Sequence, residues 1–166
     1  MSRHTRITIL ADNRAAAGVE AEHGFAALVE AGTRRILFDT GQGKTLAGNA
    51  AALGCRLEGL DAIVISHGHY DHTGGLAHVL PLNPRASIFL HPAAVQPKYT
   101  RSRSHGSQDE GTAPAPPPHR FIGMPPESAA ALREAEPRCV WTHGFTEVAP
   151  EIWCTGEIPR PPLELA

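Results

Sequence analysis

Residues 61–66, Asp61-Ala62-Ile63-Val64-Ile65-Ser66, are apolar at every interior position and run directly into a cluster of histidines. A strand of this composition has no polar face to offer water, so it must be covered on both sides. That excludes a single exposed layer. The flanking pattern supplies candidates for the cover. Thr5–Ala11 alternates polar and apolar residues with period two, as a half-buried strand does. Phe25–Glu30 and Arg35–Phe38 are β-favouring runs on either side of Ala31-Gly32-Thr33, a hairpin pattern. Lys44–Leu53 has helix-forming composition and stops at Gly54. Thr73–Leu80 returns to helical spacing and is expected to end at Pro81 and Pro84. Ala86–Leu90, Cys139–Thr142 and Ile152–Thr155 read as strands and Ser128–Glu136 as a helix, while Asn13–His23 is compatible with a loop or a short helix. Strands interleaved with helices predict an α/β layered architecture.

The length of 166 residues suits a single domain, 1–166, and no internal repeat divides it. Residues 96–126 break the periodicity. They hold Arg101, Ser102, Arg103, Ser104, Ser107 and a run of prolines, and are expected to form one long loop. A net charge of -2 gives no field that would gather nucleic acid or an anionic membrane, so neither is expected as a partner. No run of about 18 apolar residues is present, and Met1–Arg6 leads into an alternating segment, so a cytoplasmic location is expected. Three cysteines, Cys55, Cys139 and Cys154, are an odd number at wide spacing and match neither a disulfide framework nor a zinc-finger pattern.

Histidine is the unusual residue, at 10 of 166, and three fall within Ser66-His67-Gly68-His69-Tyr70-Asp71-His72-Thr73. A His-x-His-x-Asp-His pattern arises by chance in roughly one chain in a thousand of this composition. Imidazole nitrogen and carboxylate oxygen are first-row metal ligands, favoured by zinc. In an extended segment residues two apart share a face, so His67 and His69 can converge on one ion. Asp71 and His72 lie where the chain turns into a helix and can serve a second. A solvated histidine-rich turn is the plainer reading. Loops at the carboxyl ends of buried strands are, however, where α/β proteins place their sites.

His67-Gly68-His69-Tyr70-Asp71-His72 resembles the metal-binding signature of metallo-β-lactamase-fold hydrolases. Asp12-Asn13, Glu22-His23-Gly24-Phe25, Leu37-Phe38-Asp39-Thr40-Gly41, Asn49-Ala50, Leu53-Gly54, His91-Pro92 and Gly156-Glu157-Ile158-Pro159-Arg160 occur in the order of one branch, similar to the dihydropterin ribofuranosyl-aminobenzene-phosphate synthases. The resemblance implies an αββα sandwich, of which this chain would form the N-terminal portion. It implies up to two divalent metal ions, zinc first and iron or manganese as alternatives, held by His67 and His69 and by Asp71 and His72. It casts Asp71 as catalytic, orienting a metal-activated water, and Asp39 as an acceptor behind the site that holds the loop or a ligand imidazole. The implied activity is metal-dependent hydrolysis, or a pterin-pathway transfer, on a phosphate-bearing small molecule.

Against that family this chain lacks a recognisable second half with a third histidine, a bridging aspartate and a final histidine. His143 precedes the Gly156–Arg160 motif, whereas the family's third histidine follows it. The alternative expectation is therefore a truncated, non-catalytic metal-binding remnant, or a subunit that pairs with a second copy or a complementary half-domain. Other readings are narrower. Asp39-Thr40-Gly41 matches the tripeptide of aspartic proteases, which a dimer could use. Gly41-Gln42-Gly43-Lys44-Thr45 lacks the first glycine of a phosphate loop, since Phe38 stands there, and is rejected as one. Lys98, Arg101 and Arg103 could hold a phosphate or simply be solvated. His91 either lines the substrate site or caps the following turn. His78 belongs to a helix surface, and Glu22 and His23 fit structural and functional roles equally.

Overall fold

The computed structural model describes residues 4–101 and 119–159. Arg103, the serines at 102, 104 and 107, the prolines at 114 and 116–118, and Arg160 lie outside the described residues. The architecture is α/β, built on a six-stranded sheet in the order β1-β2-β3-β4-β5-β8. These strands are Thr5–Ala11, Ala26–Ala31, Arg34–Phe38, Ala62–Ile65, Ser87–Leu90 and Cys139–Trp141, for β1, β2, β3, β4, β5 and β8. The first three form an antiparallel meander, with Gly32 and Thr33 making the turn between β2 and β3. From β3 onward the neighbours are parallel, so β3, β4 and β5 all end at the same edge.

Strand alternation divides the sheet into two faces. Leu37, Ile63, Ile65, Ile88 and Leu90 point to one, where they pack with Leu46 and Ala50 of α1 (Leu46–Ala52), Leu76 and Val79 of α3 (Leu76–Leu82) and Leu132 of α4 (Pro126–Glu134). Ile36, Ala62, Val64 and Phe89 point to the other, against Val148, Ala149, Ile152 and Cys154 of a hairpin made by β9 (Thr146–Ala149) and β10 (Ile152–Cys154). β4 is buried at all four residues, as its composition requires. The hairpin covers the second face only in part. A cleft of about 960 Å³ remains between it and the sheet, walled by Val29, Phe38, Val64 and Phe89, with His67 and His69 at one end.

The helical run after the histidines differs from expectation. It is split into α2 (Tyr70–Thr73) and α3, because the N–H of Gly74 donates to Gly41 O and that of Gly75 to Thr40 Oγ1 rather than along the helix. Pro81 does not stop α3, which continues through it to Leu82. Proline removes one N–H near the helix end, and there the Asn83 side chain donates to Val79 O (3.0 Å). The segment 96–126 is not wholly loop. Its described ends carry β6 (Tyr99–Arg101) paired with β7 (His119–Phe121), and α4 starts at Pro126. Strands of three residues are too short for a period to register in sequence.

Candidate metal centre

β3 and β4 deliver Asp39 and Ser66 to the same sheet edge, and Asp39 N–H donates to Val64 O (2.8 Å). Asp39 has φ 55°, a left-handed conformation that aspartate tolerates better than most side chains. The residue is only 1% exposed, and a carboxylate so buried must have its charge answered by donors. Oδ1 accepts from Ser66 N–H (2.8 Å); Oδ2 accepts from Ser66 Oγ (2.6 Å) and from His72 Nδ1 (2.7 Å).

Counting hydrogens through this network assigns the imidazoles. The single Ser66 hydroxyl hydrogen goes to the carboxylate, so towards His67 Nδ1, 2.9 Å away, Ser66 Oγ accepts. His67 and His72 therefore both carry hydrogen on Nδ1 and can present an Nε2 lone pair to a metal. Burial, reinforced by His72 and His69, holds the His67 pKa below the usual histidine value, which favours the neutral, ligating form. Burial also acts to lower the His72 pKa, but the hydrogen bond that His72 donates to Asp39 and the charges of Asp39 and Asp71 outweigh it and raise it. Positive charge is welcome beside that ring.

The turn brings His67, His69, Asp71 and His72 together. His67 Nε2 lies 3.0 Å from His69 Nδ1, and the His67 and His72 rings are 4.1 Å apart. Metal–nitrogen bonds of about 2.0–2.1 Å place two ligands of a tetrahedral ion roughly 3.3–3.4 Å apart, so His67 and His69 fit one ion as a pair. His72 Nε2 lies 3.8 Å from Asp71 Oδ2 and fits a second in the same way. Among the described residues no three such groups already enclose one point. The chemistry of the donors suits a metal; the count at each position falls short of the usual three protein ligands.

His91 stands apart from this cluster, on the wall of the same cleft. Its Nδ1 accepts from Ala93 N–H (3.1 Å), capping the turn Pro92–Val95, and its buried Nε2 lies 3.9 Å from Glu157 Oε2. His143 packs edge-on against His91, with ring centroids 5.1 Å apart, and forms no three-ligand group with His67 and His69. Lys98 Nζ is held by the carbonyls of Ala93, Ala94 and Gln96, Arg101 is exposed on β6, and His78 is exposed on α3. Both oxygens of Asp39 are committed inside the chain, which removes the aspartic-protease reading. The Gly41–Thr45 loop does use its amides for an anion, but that anion is internal: Glu22 accepts from Gln42, Lys44 and Thr45 N–H at 2.9, 3.1 and 3.1 Å.

In the sequence His23 fits structural and functional roles equally, and the structure sets its Nε2 3.1 Å from Asp71 Oδ2. The two residues are far apart in the chain, so no local spacing could pair them. The one available signal was Gly24. At φ 127° a Cβ there would strike the carbonyl oxygen of Asp71, so glycine is needed for the loop to lie against the histidine turn.

Comparison with known proteins identifies the family of this fold. The family model of the metallo-beta-lactamase superfamily matches residues 19–148. An uncharacterised protein of Methanocaldococcus jannaschii is 41% identical over 105 residues, covering 63% of this chain and 41% of the relative. The 7,8-dihydropterin-6-methyl-4-(beta-D-ribofuranosyl)-aminobenzene-5'-phosphate synthase of the same organism is 36% identical over 77 residues, covering 43% of this chain and 26% of that protein. Among solved structures, a metal-dependent hydrolase of the beta-lactamase superfamily superimposes with a TM-score of 0.57 at 26% identity, covering 90% of this chain and 47% of its own. The chain thus spans less than half the length of these relatives. With the match running from before Gly24 to the β9 strand and enclosing the whole histidine turn, the chain belongs to the metallo-beta-lactamase superfamily.

Proposed function

We propose that the turn from His67 to His72 binds divalent metal, zinc in the first place with iron or manganese as alternatives, at up to two positions. On that basis the chain serves a metal-dependent hydrolase or pterin-pathway transferase reaction on a phosphate-bearing small molecule. The observation that carries this reading is the Asp39 network, which orients two rings with Nε2 free of hydrogen beside a carboxylate. A divalent cation at this place supplies a Lewis acid for a phosphoryl or carbonyl oxygen and lowers the pKa of its water. The chain's own share is to hold and orient. His67 with His69, and Asp71 with His72, offer donor pairs; Asp39 fixes the rings; the apolar wall of the cleft receives the non-polar part of a substrate, with His91 further along it. The name of the pterin-pathway relative, a 5'-phosphate synthase, supports a phosphate-bearing substrate.

A second reading, a non-catalytic metal-binding subunit that pairs with a second copy or a complementary half-domain, is favoured by the two-ligand count at each position and the partly covered sheet face. Metal analysis of the purified chain, combined with turnover of phosphate mono- and diesters, separates them. About two ions per chain with turnover supports the enzyme; bound metal without turnover supports the subunit. A chain that takes up no zinc, manganese or iron overturns both.

A further inference from the structure

We infer that His23 is a metal ligand, completing with Asp71 and His72 a three-residue site contributed entirely by this chain. The inference rests on the metal-binding reading above and extends it to a residue outside the histidine turn. Its basis is a conflict of lone pairs. His23 Nδ1 lies 2.7 Å from Asn13 Oδ1, an amide oxygen that only accepts, so Nδ1 carries the hydrogen and Nε2 keeps its lone pair. That Nε2 faces Asp71 Oδ2 at 3.1 Å. His72 repeats the arrangement: Nδ1 donates to the Asp39 carboxylate, and Nε2 faces the same Asp71 oxygen at 3.8 Å. Two imidazole lone pairs and a carboxylate oxygen directed at one another repel unless a proton or a metal ion lies among them. At 3.8 Å His72 Nε2 is beyond hydrogen-bond reach of Asp71, so a proton serves the His23 arm alone.

The spacings point to a metal ion as that cation. Separations of 3.1 and 3.8 Å bracket the roughly 3.3–3.4 Å expected between ligands sharing a tetrahedral zinc. Three protein ligands with an open fourth position is the number a catalytic zinc takes. Each histidine also has its far nitrogen anchored to an oxygen, the support that fixes ligand orientation in metal sites. The three groups do not yet enclose one point. The adjustment falls to His23, whose side chain is 63% exposed and can rotate, while its backbone is held against Asp71 through Gly24 and through the bond from Phe25 N–H to Asp71 O (3.3 Å).

The test is cobalt binding to the full chain and to His23→Gln, with His78→Gln as the control on an exposed helix surface. Co(II) affinity is measured by competition with a chromophoric chelator, and ligation by the hyperfine-shifted, exchangeable imidazole N–H resonances that Nε2-bound histidines give. The expected result is loss of one such resonance in His23→Gln and a fall in affinity beyond the 10–100-fold typical of an outer supporting residue, with His78→Gln unchanged. Retention of every shifted resonance and of full affinity in His23→Gln overturns the inference while leaving the metal-binding reading intact. Failure of the unsubstituted chain to bind cobalt or zinc overturns both. Circular dichroism of His23→Gln matching the parent shows that the loss is local.

Discussion

Asp39 Oδ2 and His72 Nδ1 are 2.7 Å apart across 33 residues of chain, and the same oxygen also takes the Ser66 hydroxyl hydrogen. Asp39 is therefore both a structural hub and the support of the candidate ligands. Asp39→Ala strips three donors of their acceptor in a buried place. We expect it to cost roughly 3–5 kcal/mol, as removal of one member of a buried ionic network does, and to weaken metal binding about 10–100-fold. Urea unfolding and zinc competition measure the two; a loss below about 1 kcal/mol would place the carboxylate outside the network.

Glu22 carries a different burden. Its carboxylate gathers the amides of Gln42, Lys44 and Thr45 ahead of α1. Glu22→Ala leaves those amides without their anion and should destabilise the chain by about 2–4 kcal/mol, less than three separate bonds to a charged group at about 1.5–3 kcal/mol each. The amides of Gln42 and Lys44 are only part-buried, and water can replace the acceptor there. Glu22→Gln keeps one accepting oxygen and should lose less. Equal denaturation midpoints for the two variants would contradict this assignment.

Two glycines should respond in opposite directions. Gly24→Ala places a methyl group against the Asp71 carbonyl at φ 127° and should cost at least about 2 kcal/mol. Gly48 lies inside α1 with open space where a Cβ would go, so Gly48→Ala should stabilise by about 0.5–1 kcal/mol. Thermal melts of the pair suffice as the check.

Asp61 supplies an acid-sensitive contact. Its Oδ1 accepts from Arg34 Nη1 (2.7 Å) and its Oδ2 from Arg35 N–H (2.8 Å). Burial acts to raise its pKa, but the Arg35 amide and the Arg34 and Arg35 charges prevail and hold it below 3.8. A carboxyl lowered on folding stabilises the native state above its unfolded pKa and loses that contribution as pH falls through the folded value. Stability measured from pH 6 downward should thus fall less steeply at the acid end in Asp61→Asn than in the parent. An identical acid limb would remove the contact from the balance.

The legible parts of this molecule were those in which one stretch of chain decides its own environment. The run 61–66 has no polar face and is buried on both; the histidines at 67, 69 and 72 are close in space because they are close in sequence. The rest depended on partners far along the chain. His23 meets Asp71 because the loop from β1 to β2 lies against the histidine turn at Gly24, and the Asn83 side chain beyond α3 is held by Leu57 O and Leu60 N–H, more than twenty residues away. β6, β7 and β9 are three or four residues long, and cross-strand pairs such as Tyr99 with Phe121, ring centroids 5.5 Å apart, hold the first two together rather than any periodicity of their own.

The unequal cover on the two faces of the sheet bears on how this chain responds to temperature. Apolar surface left wet in the native state cannot be newly hydrated on unfolding, and newly hydrated apolar surface is the source of the heat-capacity increment. The increment per residue should fall below the usual 12–15 cal/mol/K or so, giving a broad, shallow stability curve and a weak tendency to cold denaturation. A molecule that occupied the cleft would sharpen that curve as it raised it.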